Sequence, residues 1–372
     1  ISEVIIATDA GREGELVARW AIMMGGWKKK PMKRLWISSQ TDTAIKDGFA
    51  NLKPASNYDS LFHAAVGRAE ADWLVGLNVT RALTCKFDAR LNAGRVQTPT
   101  LALIVKREEN IKKFIPVKFW KLNAICSGFT ASRQDSKGND RIFDKVKADD
   151  LLAKLKGKDA MVTSVTRKSR SESAPLAYDL TELQRDANRR YGMSAKDTLR
   201  CTQTLYERFK LVTYPRTDSR YITKDMIPTL KQRLMQVAKA GYSSKVQPLL
   251  QKELNPSARF VNDAKVSDHH AIIPTEISVH LNLLSNDEKK IYDLIVKRFI
   301  TVLYPPYKFE QVIILLEIEK ETFRATGRIV KELGWRSVSS IMKDEDDEEV
   351  STHSIPELVK GQLVKVNDLK LV

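Results

Sequence analysis

The sequence predicts a multidomain protein of the α/β plus α+β class, and three observations carry that prediction. An apolar run, Val4-Ile5-Ile6-Ala7, passes through an acidic turn into an amphipathic helix ending near Met24, which is how an α/β unit opens. Residues 39–115 and 175–304 place apolar side chains at helical spacing, as Leu61, Ala65, Ala69 and Trp73 do one turn apart. Short alternating runs such as Phe119–Ile125, Ala160–Val165, Gln311–Leu315 and Thr322–Gly327 read as strands of a mostly antiparallel sheet. At 372 residues the chain has room for more than one hydrophobic core.

A net charge of +16 narrows the partner. Such a surplus favours a polyanion, and nucleic acid leads because no basic amphipathic helix marks a membrane surface. No run of 18 apolar residues is present, so no membrane span is expected. Cys85, Cys126 and Cys201 are far apart and match no zinc or disulfide spacing, so a reducing, cytoplasmic setting is expected. No signal peptide opens the chain, and Ile1 falls in what reads as a strand; an earlier start to the protein is expected.

The acidic turn is Thr8-Asp9-Ala10-Gly11-Arg12-Glu13-Gly14-Glu15. Asp9 and Glu13 can hold Mg²⁺, which takes one or two carboxylates and keeps waters for a substrate phosphate. Acids in a first helical turn also simply offset the helix dipole, and that reading stays open. Lys28-Lys29-Lys30-Pro31 reads as a loop, 34–37 as a strand, and 38–51 and 61–83 as helices. Arg68 and Asp72, four residues apart, share a helix face, where an exposed pair contributes a few tenths of a kcal/mol, roughly. In Leu91-Asn92-Ala93-Gly94-Arg95-Val96-Gln97-Thr98-Pro99, Thr98 is a candidate N-cap with Pro99 at the first helical position. Gly94 allows close backbone approach to a ligand, and Arg95 and Gln97 lie on one side of Val96, as contacts to a phosphate backbone would.

Further on, the serine- and base-rich stretch 166–174 reads as a hinge. A helix over 179–190 ends at Gly192, and Ser194 opens the next one. That helix leads to Leu211-Val212-Thr213, a short strand, and to Tyr214-Pro215-Arg216-Thr217-Asp218-Ser219. Pro215 holds Tyr214 in extended backbone. A phenol with a pKa of about 10 needs help to act as a nucleophile. Arg216, always charged, can stabilise a phenolate or the phosphate it attacks; an ordinary half-buried tyrosine is the plainer alternative. In Asp268-His269-His270-Ala271-Ile272-Ile273-Pro274-Thr275 the adjacent histidines face different sides, which argues against joint metal binding. The acidic run 344–349 reads as a solvated loop, and 362–372 as a strand.

Five of these stretches, in this order, resemble the motifs of type IA DNA topoisomerases: the acidic turn, the Arg68–Asp72 helix, Gly94-Arg95-Val96-Gln97, Tyr214-Pro215-Arg216 and His269-His270-Ala271-Ile272-Ile273-Pro274. The proline after Tyr214 is similar to the topoisomerase III branch. The acidic turn resembles the Asp-x-Asp-x-Glu motif of Toprim domains, with Gly11 in place of the second aspartate. The resemblance implies a toroid of four domains: a partial Toprim domain (1–38), a helical DNA-groove domain (39–115, with 355–372 returning to it), a strand-rich arch (116–174 and 305–354) and a helical domain bearing the tyrosine (175–304). It implies that Tyr214 is the nucleophile of an ATP-independent single-strand cleavage through a 5′-phosphotyrosyl bond, followed by strand passage and religation. Arg216 and His269 would assist it, Asp9 and Glu13 would hold Mg²⁺, and Arg68, Asp72, Arg95 and Gln97 would line the DNA groove. The expected substrates are single-stranded DNA and negatively supercoiled or catenated DNA. A bacterial, nucleoid-associated cytoplasmic monomer is expected. The family's catalytic glutamate and lysine would precede Ile1, so this stretch by itself is expected to be an incomplete core, inactive in full relaxation. A non-catalytic single-stranded-DNA-binding fragment and a Toprim nuclease or primase are the alternatives.

Overall fold

The structure is a computed structural model that describes residues 1–27, 31–39, 41–338 and 356–372. The loop expected at 28–30 and the acidic run at 344–349 lie outside the described residues. Two units are distinct: Ile1–Phe114 with Leu176–Val302, and Ile115–Pro175 with Leu303–Val372.

In the first unit, β1 (Val4–Ile6) pairs in parallel with β2 (Met32–Arg34), and β2 pairs antiparallel with β3 (Lys53–Pro54). Between β1 and β2 runs α1 (Arg12–Met24), whose Leu16 and Ala18 are buried. Its Glu15 is buried too, because two arginines meet it. Arg34 Nε stands 2.9 Å from Glu15 Oε2, and Arg19 Nε lies 2.8 Å from Oε1. The fully buried Arg34 guanidinium also donates to the carbonyls of Ile6, Thr8, Asp9 and Leu35, at 2.5 to 3.1 Å. A charge taken out of water is tolerated only when it is paired and hydrogen-bonded, and this one is both. The acidic turn is therefore held by backbone carbonyls around one cation.

After α2 (Asp42–Ala50) come two helices with little buried surface, α3 (Asp59–Phe87) and α4 (Gln97–Lys112). Ala65 is the buried residue of α3, and α4 has none. The N-cap of α4 is Val96 and not Thr98; the Thr98 hydroxyl instead accepts from the Gly94 amide at 3.0 Å, bracing the turn ahead of the helix.

The second stretch of this unit contains α6 (Leu180–Tyr191), α7 (Ala195–Glu207), α8 (Leu230–Val237), α9 (Ser243–Leu250) and α10 (Asn286–Leu303). Gly192 closes α6 at φ +64°, and Ser194 Oγ caps α7 by accepting from the Asp197 amide at 3.0 Å, as their residue types dictate. A buried triad anchors α10 to α6: Arg298 reaches Asp186 Oδ2 at 2.7 Å, and Tyr178 Oη donates to the same oxygen at 2.5 Å.

The second unit is a seven-stranded antiparallel sheet in the order β10-β4-β5-β8-β7-β6-β9. Its strands are β4 (Leu122–Cys126), β5 (Phe129–Gln134), β6 (Ala160–Glu172), β7 (Tyr307–Ile318), β8 (Glu321–Glu332), β9 (Leu363–Val364) and β10 (Val366–Leu371). One face is apolar: Leu122, Ala124, Cys126, Val312, Ile314, Leu316 and Phe323 are buried against Ala148, Leu151 and Leu155 of α5 (Lys145–Leu155). Two expectations change here. The stretch 166–174 is no hinge, since β6 runs through it and stays in register with β7 as far as Glu172 opposite Tyr307. Arg167 to Ser171 are exposed on both faces of the strand, and a strand solvated in this way has the composition of a linker. The end of the chain, expected back with the helical segment, instead pairs β10 with β4 and β9 with β6. Edge strands this short have too little periodicity to reveal their partner.

Candidate active site

Lys210, at φ +55°, reverses the chain after α7, and the Leu211 amide returns to the Leu205 carbonyl at 2.9 Å. The expected strand at 211–213 contracts to one bridge, Val212 opposite Pro274. Around that bridge the tyrosine segment is laced to the histidine segment. The Thr213 amide donates to the Ile273 carbonyl at 2.9 Å, and the Thr275 amide to Leu211 at 3.0 Å. Thr213 Oγ1 donates to the Ala271 carbonyl at 2.7 Å, and Thr217 Oγ1 to that of His269 at 3.2 Å. Side-chain hydroxyls here do the work of a longer ladder.

The result is a contact among three distant stretches of chain. The Tyr214 ring lies 4.1 Å from that of His269, centroid to centroid, tilted by 34°. Tyr206 of α7 meets Tyr214 edge-on at 5.4 Å. On its far side His269 presents Nε2 3.5 Å from Asp9 Oδ2. Asp9, Tyr206, Tyr214 and His269 line one cavity of about 620 Å³. Arg216 is exposed, lies outside that lining, and has no hydrogen-bond or ion-pair partner among the described residues.

Four of the remaining expected site residues form two pairs. Arg68 and Asp72 do not pair with each other along α3. Arg68 contacts Glu13 in the first turn of α1, and Asp72 Oδ1 takes the Arg95 Nε–H at 2.6 Å. Gln97 packs beside Gly94, and Asp72, Arg95 and Gln97 line a second, open cavity of about 670 Å³. The two pairs thus tie adjacent turns of α3, one to the start of α1 and the next to the Gly94 turn.

Sequence reasoning missed a polar network on the wall of the first cavity. Asp225 accepts from Ser39 Oγ at 2.5 Å, from Thr41 Oγ1 at 2.7 Å and from Thr223, which in turn meets His270 Nε2 at 2.9 Å. Burial opposes the Asp225 charge, but the donating hydroxyls win and hold its pKa below the usual carboxylate range. Burial also pushes the His270 pKa down to about 4, against the pull of Asp225. Arg233, nearly buried, donates to the Pro274 carbonyl at 2.7 Å and pairs with Glu276 at 2.6 Å. The sequence around Asp225, Ile222-Thr223-Lys224-Asp225-Met226-Ile227, gives no signal for this network, and its partners are as many as 186 residues away.

His270 gives a pH prediction with a definite sign. Its folded pKa is below the unfolded value of about 6.5, so the unfolded chain takes up the proton first. Its contribution is complete above pH 6.5 and is lost as pH falls toward 4. Unfolding titrations should show the wild type losing stability over that window, by at most about 1.4 kcal/mol per pH unit from this group, more steeply than His270→Asn. Parallel pH profiles for the two proteins would refute it.

The donor set bears on the expected metal. Among the described residues no group of three or more His, Cys, Asp or Glu is placed to hold an ion. Asp9 and Glu13 each face a cationic or ionisable partner, and both are largely exposed, 62% for each side chain. Two accessible carboxylates suit a Mg²⁺ ion that keeps its waters and a substrate phosphate; they do not form a protein cage.

A tyrosine turn laced to a histidine segment and facing an acidic turn defines a class, and comparison with known proteins agrees with it. The family model for DNA topoisomerase matches residues 56–372, and the chain belongs to the type IA DNA topoisomerase family. It is 51% identical over 370 residues to DNA topoisomerase 3 of Bacillus licheniformis, covering 99% of this chain and 51% of that protein. It is 49% identical to DNA topoisomerase 3 of Bacillus subtilis, again over 99% of this chain and 51% of the relative. The chain therefore spans about half the length of these relatives. Full-length topoisomerase I from Thermotoga maritima has the same fold, with a TM-score of 0.71 at 23% identity over 98% of this chain and 58% of that one. No helix among the described residues is long and apolar enough to cross a membrane.

Proposed function

We propose that this protein cuts and reseals single strands of DNA, with Tyr214 as the nucleophile. The observation that carries the reading is the meeting of Tyr214, His269 and Asp9 in one cavity, from stretches of chain that have no local reason to converge. Tyr214 Oη attacks a backbone phosphorus as the phenol proton leaves. The bond from phosphorus to the 3′ oxygen breaks, that oxygen gains a proton, and the 5′ phosphate stays on the tyrosine. The freed 3′-hydroxyl later attacks the same phosphorus and restores the strand. The phosphodiester energy is kept in the phosphotyrosyl bond, so no ATP is required.

Each neighbour has a part in this reading. His269, between the tyrosine ring and Asp9, is placed to hydrogen-bond the phosphate at Tyr214. Arg216, exposed and uncommitted, can swing to offset charge on the phosphoryl oxygens in the transition state. Asp9 and Glu13 would hold Mg²⁺, which when bound supplies positive charge beside the phosphate. Arg68, Asp72, Arg95 and Gln97 would guide the single strand along α3 and the Gly94 turn. The DNA topoisomerase 3 relatives support DNA as the substrate; in this reading it is negatively supercoiled or catenated DNA, acted on by a monomer in the bacterial cytoplasm at the nucleoid.

The direct test incubates the protein with labelled single-stranded oligonucleotide and Mg²⁺ and runs a denaturing gel. A label covalently attached to the protein is expected; DNA that binds and never becomes attached would leave only a binding module. Binding itself should be salt-dependent, with a log–log slope of about −0.7 for each phosphate neutralised. Arg95→Ala should weaken it alike at all sequences, because it removes a phosphate contact and also strips Asp72 of its cation. Anisotropy titrations that show salt-insensitive binding, or a preference for duplex, would refute the groove assignment.

A further inference from the structure

Gly11 is the N-cap residue of α1, and no side chain caps that helix. Its backbone is extended, at φ −162° and ψ 178°, a conformation open to any residue. The glycine is therefore not required by its dihedral angles. With the exposed Asp268 side chain where it stands, the space at position 11 is already taken. A Cβ at position 11 would stand 2.2 Å from Asp268 Oδ2, 2.5 Å from its Cγ and 2.6 Å from Oδ1. The whole carboxyl group of Asp268 fills the place where a side chain of residue 11 would begin.

That place has two chemical properties. It lies at the N-terminus of a 13-residue helix, where a negative charge is favourable. It also lies among the reacting groups, since Asp9, His269, Arg12 and Asp218 are the charged and ionisable neighbours of Asp268. The acidic motif carries an aspartate at the position occupied here by Gly11, and such an aspartate would bring its carboxylate to the same helix terminus. Here position 11 is glycine, and the carboxylate at that terminus comes from Asp268. Asp268 comes from the segment that carries His269, so its carboxylate brings that segment against the Asp9 turn at Gly11. Burial, then Asp218 and Asp9, raise its pKa, in keeping with a carboxylate crowded by others.

We propose that Asp268 replaces the carboxylate missing at Gly11, as a positioning residue that holds the Asp9 turn and the His269 segment in register. This rests on the strand-cleavage reading only for its effect on catalysis; the pairing of positions 11 and 268 stands apart from it.

A complementary swap tests both parts. Gly11→Asp drives one carboxylate into another, and Asp268→Gly empties the place. Each should lower the melting temperature by a few degrees, roughly, and the yield of covalent oligonucleotide adduct by about tenfold, the scale of coupling between residues in contact. The double variant Gly11→Asp/Asp268→Gly should melt higher than either single variant and recover most of the adduct. Asp268→Asn keeps the shape and drops the charge. It should melt within about 2 °C of wild type yet form adduct about tenfold more slowly, a loss that mere space-filling would not produce. Losses that add in the double variant, or an asparagine variant that cleaves like wild type, would overturn the proposal. If no protein in the set forms adduct, wild type included, the cleavage reading fails, and compensation in the melting temperatures alone decides the pairing.

Discussion

Tyr214→Phe is expected to abolish the covalent protein–DNA adduct while leaving affinity for single-stranded DNA within a few-fold of wild type. The substitution deletes one hydroxyl and keeps the ring, and the ring makes the contacts seen with His269 and Tyr206. Folding and the cavity wall should therefore survive. The nucleophile does not, and no neighbour can replace it: Tyr206, the nearest phenol, has its pKa raised by burial and by Tyr214 and Asp9. Arg216→Ala should act differently, slowing cleavage by about a hundredfold without removing the adduct, because it takes charge from the transition state and no bond-forming atom. Denaturing gels with end-labelled oligonucleotide report both. An adduct that persists in Tyr214→Phe would remove Tyr214 from the mechanism altogether.

Arg34→Met should be the most damaging substitution for stability, although Arg34 meets Asp9 only at its backbone carbonyl. It would leave Glu15, fully buried, with Arg19 alone, and deprive the carbonyls of Ile6, Thr8 and Asp9 of their donor. Breaking a buried ion pair from one side costs about 3–5 kcal/mol, which corresponds to a drop in melting temperature on the order of 10 °C. The double variant Glu15→Leu/Arg34→Met should be less damaging than Arg34→Met, since no unpaired charge is then buried. The Asp9 turn should loosen in both, so adduct formation should fall even in molecules that remain folded. Calorimetric melting of the two variants decides it. An Arg34→Met protein that melts with the wild type would show that the turn is held by its backbone alone.

The sequence by itself determined the local devices. Residue type dictates the Gly192 helix end, the Ser194 cap and the restraint of Tyr214 by Pro215, because each acts within a few residues. The alternating strands were legible where they are long and one face is buried, as in β7 and β8. At 166–174 legibility failed, since a strand with a polar, solvated face resembles a linker. At 211–213 it failed because hydroxyl-to-backbone bonds replace a ladder. Candidate site residues were legible one at a time, through their resemblance to family motifs. Their partners were not. That Arg68 joins Glu13 and not Asp72, that Arg95 takes Asp72, and that Asp225 collects Ser39, Thr41 and Thr223 depends on chain segments brought together across many residues. Tertiary structure alone decided the meaning of Gly11. As a letter in a motif it is a missing carboxylate; in the fold it is the space into which Asp268 fits, because two carboxyl groups cannot share one place.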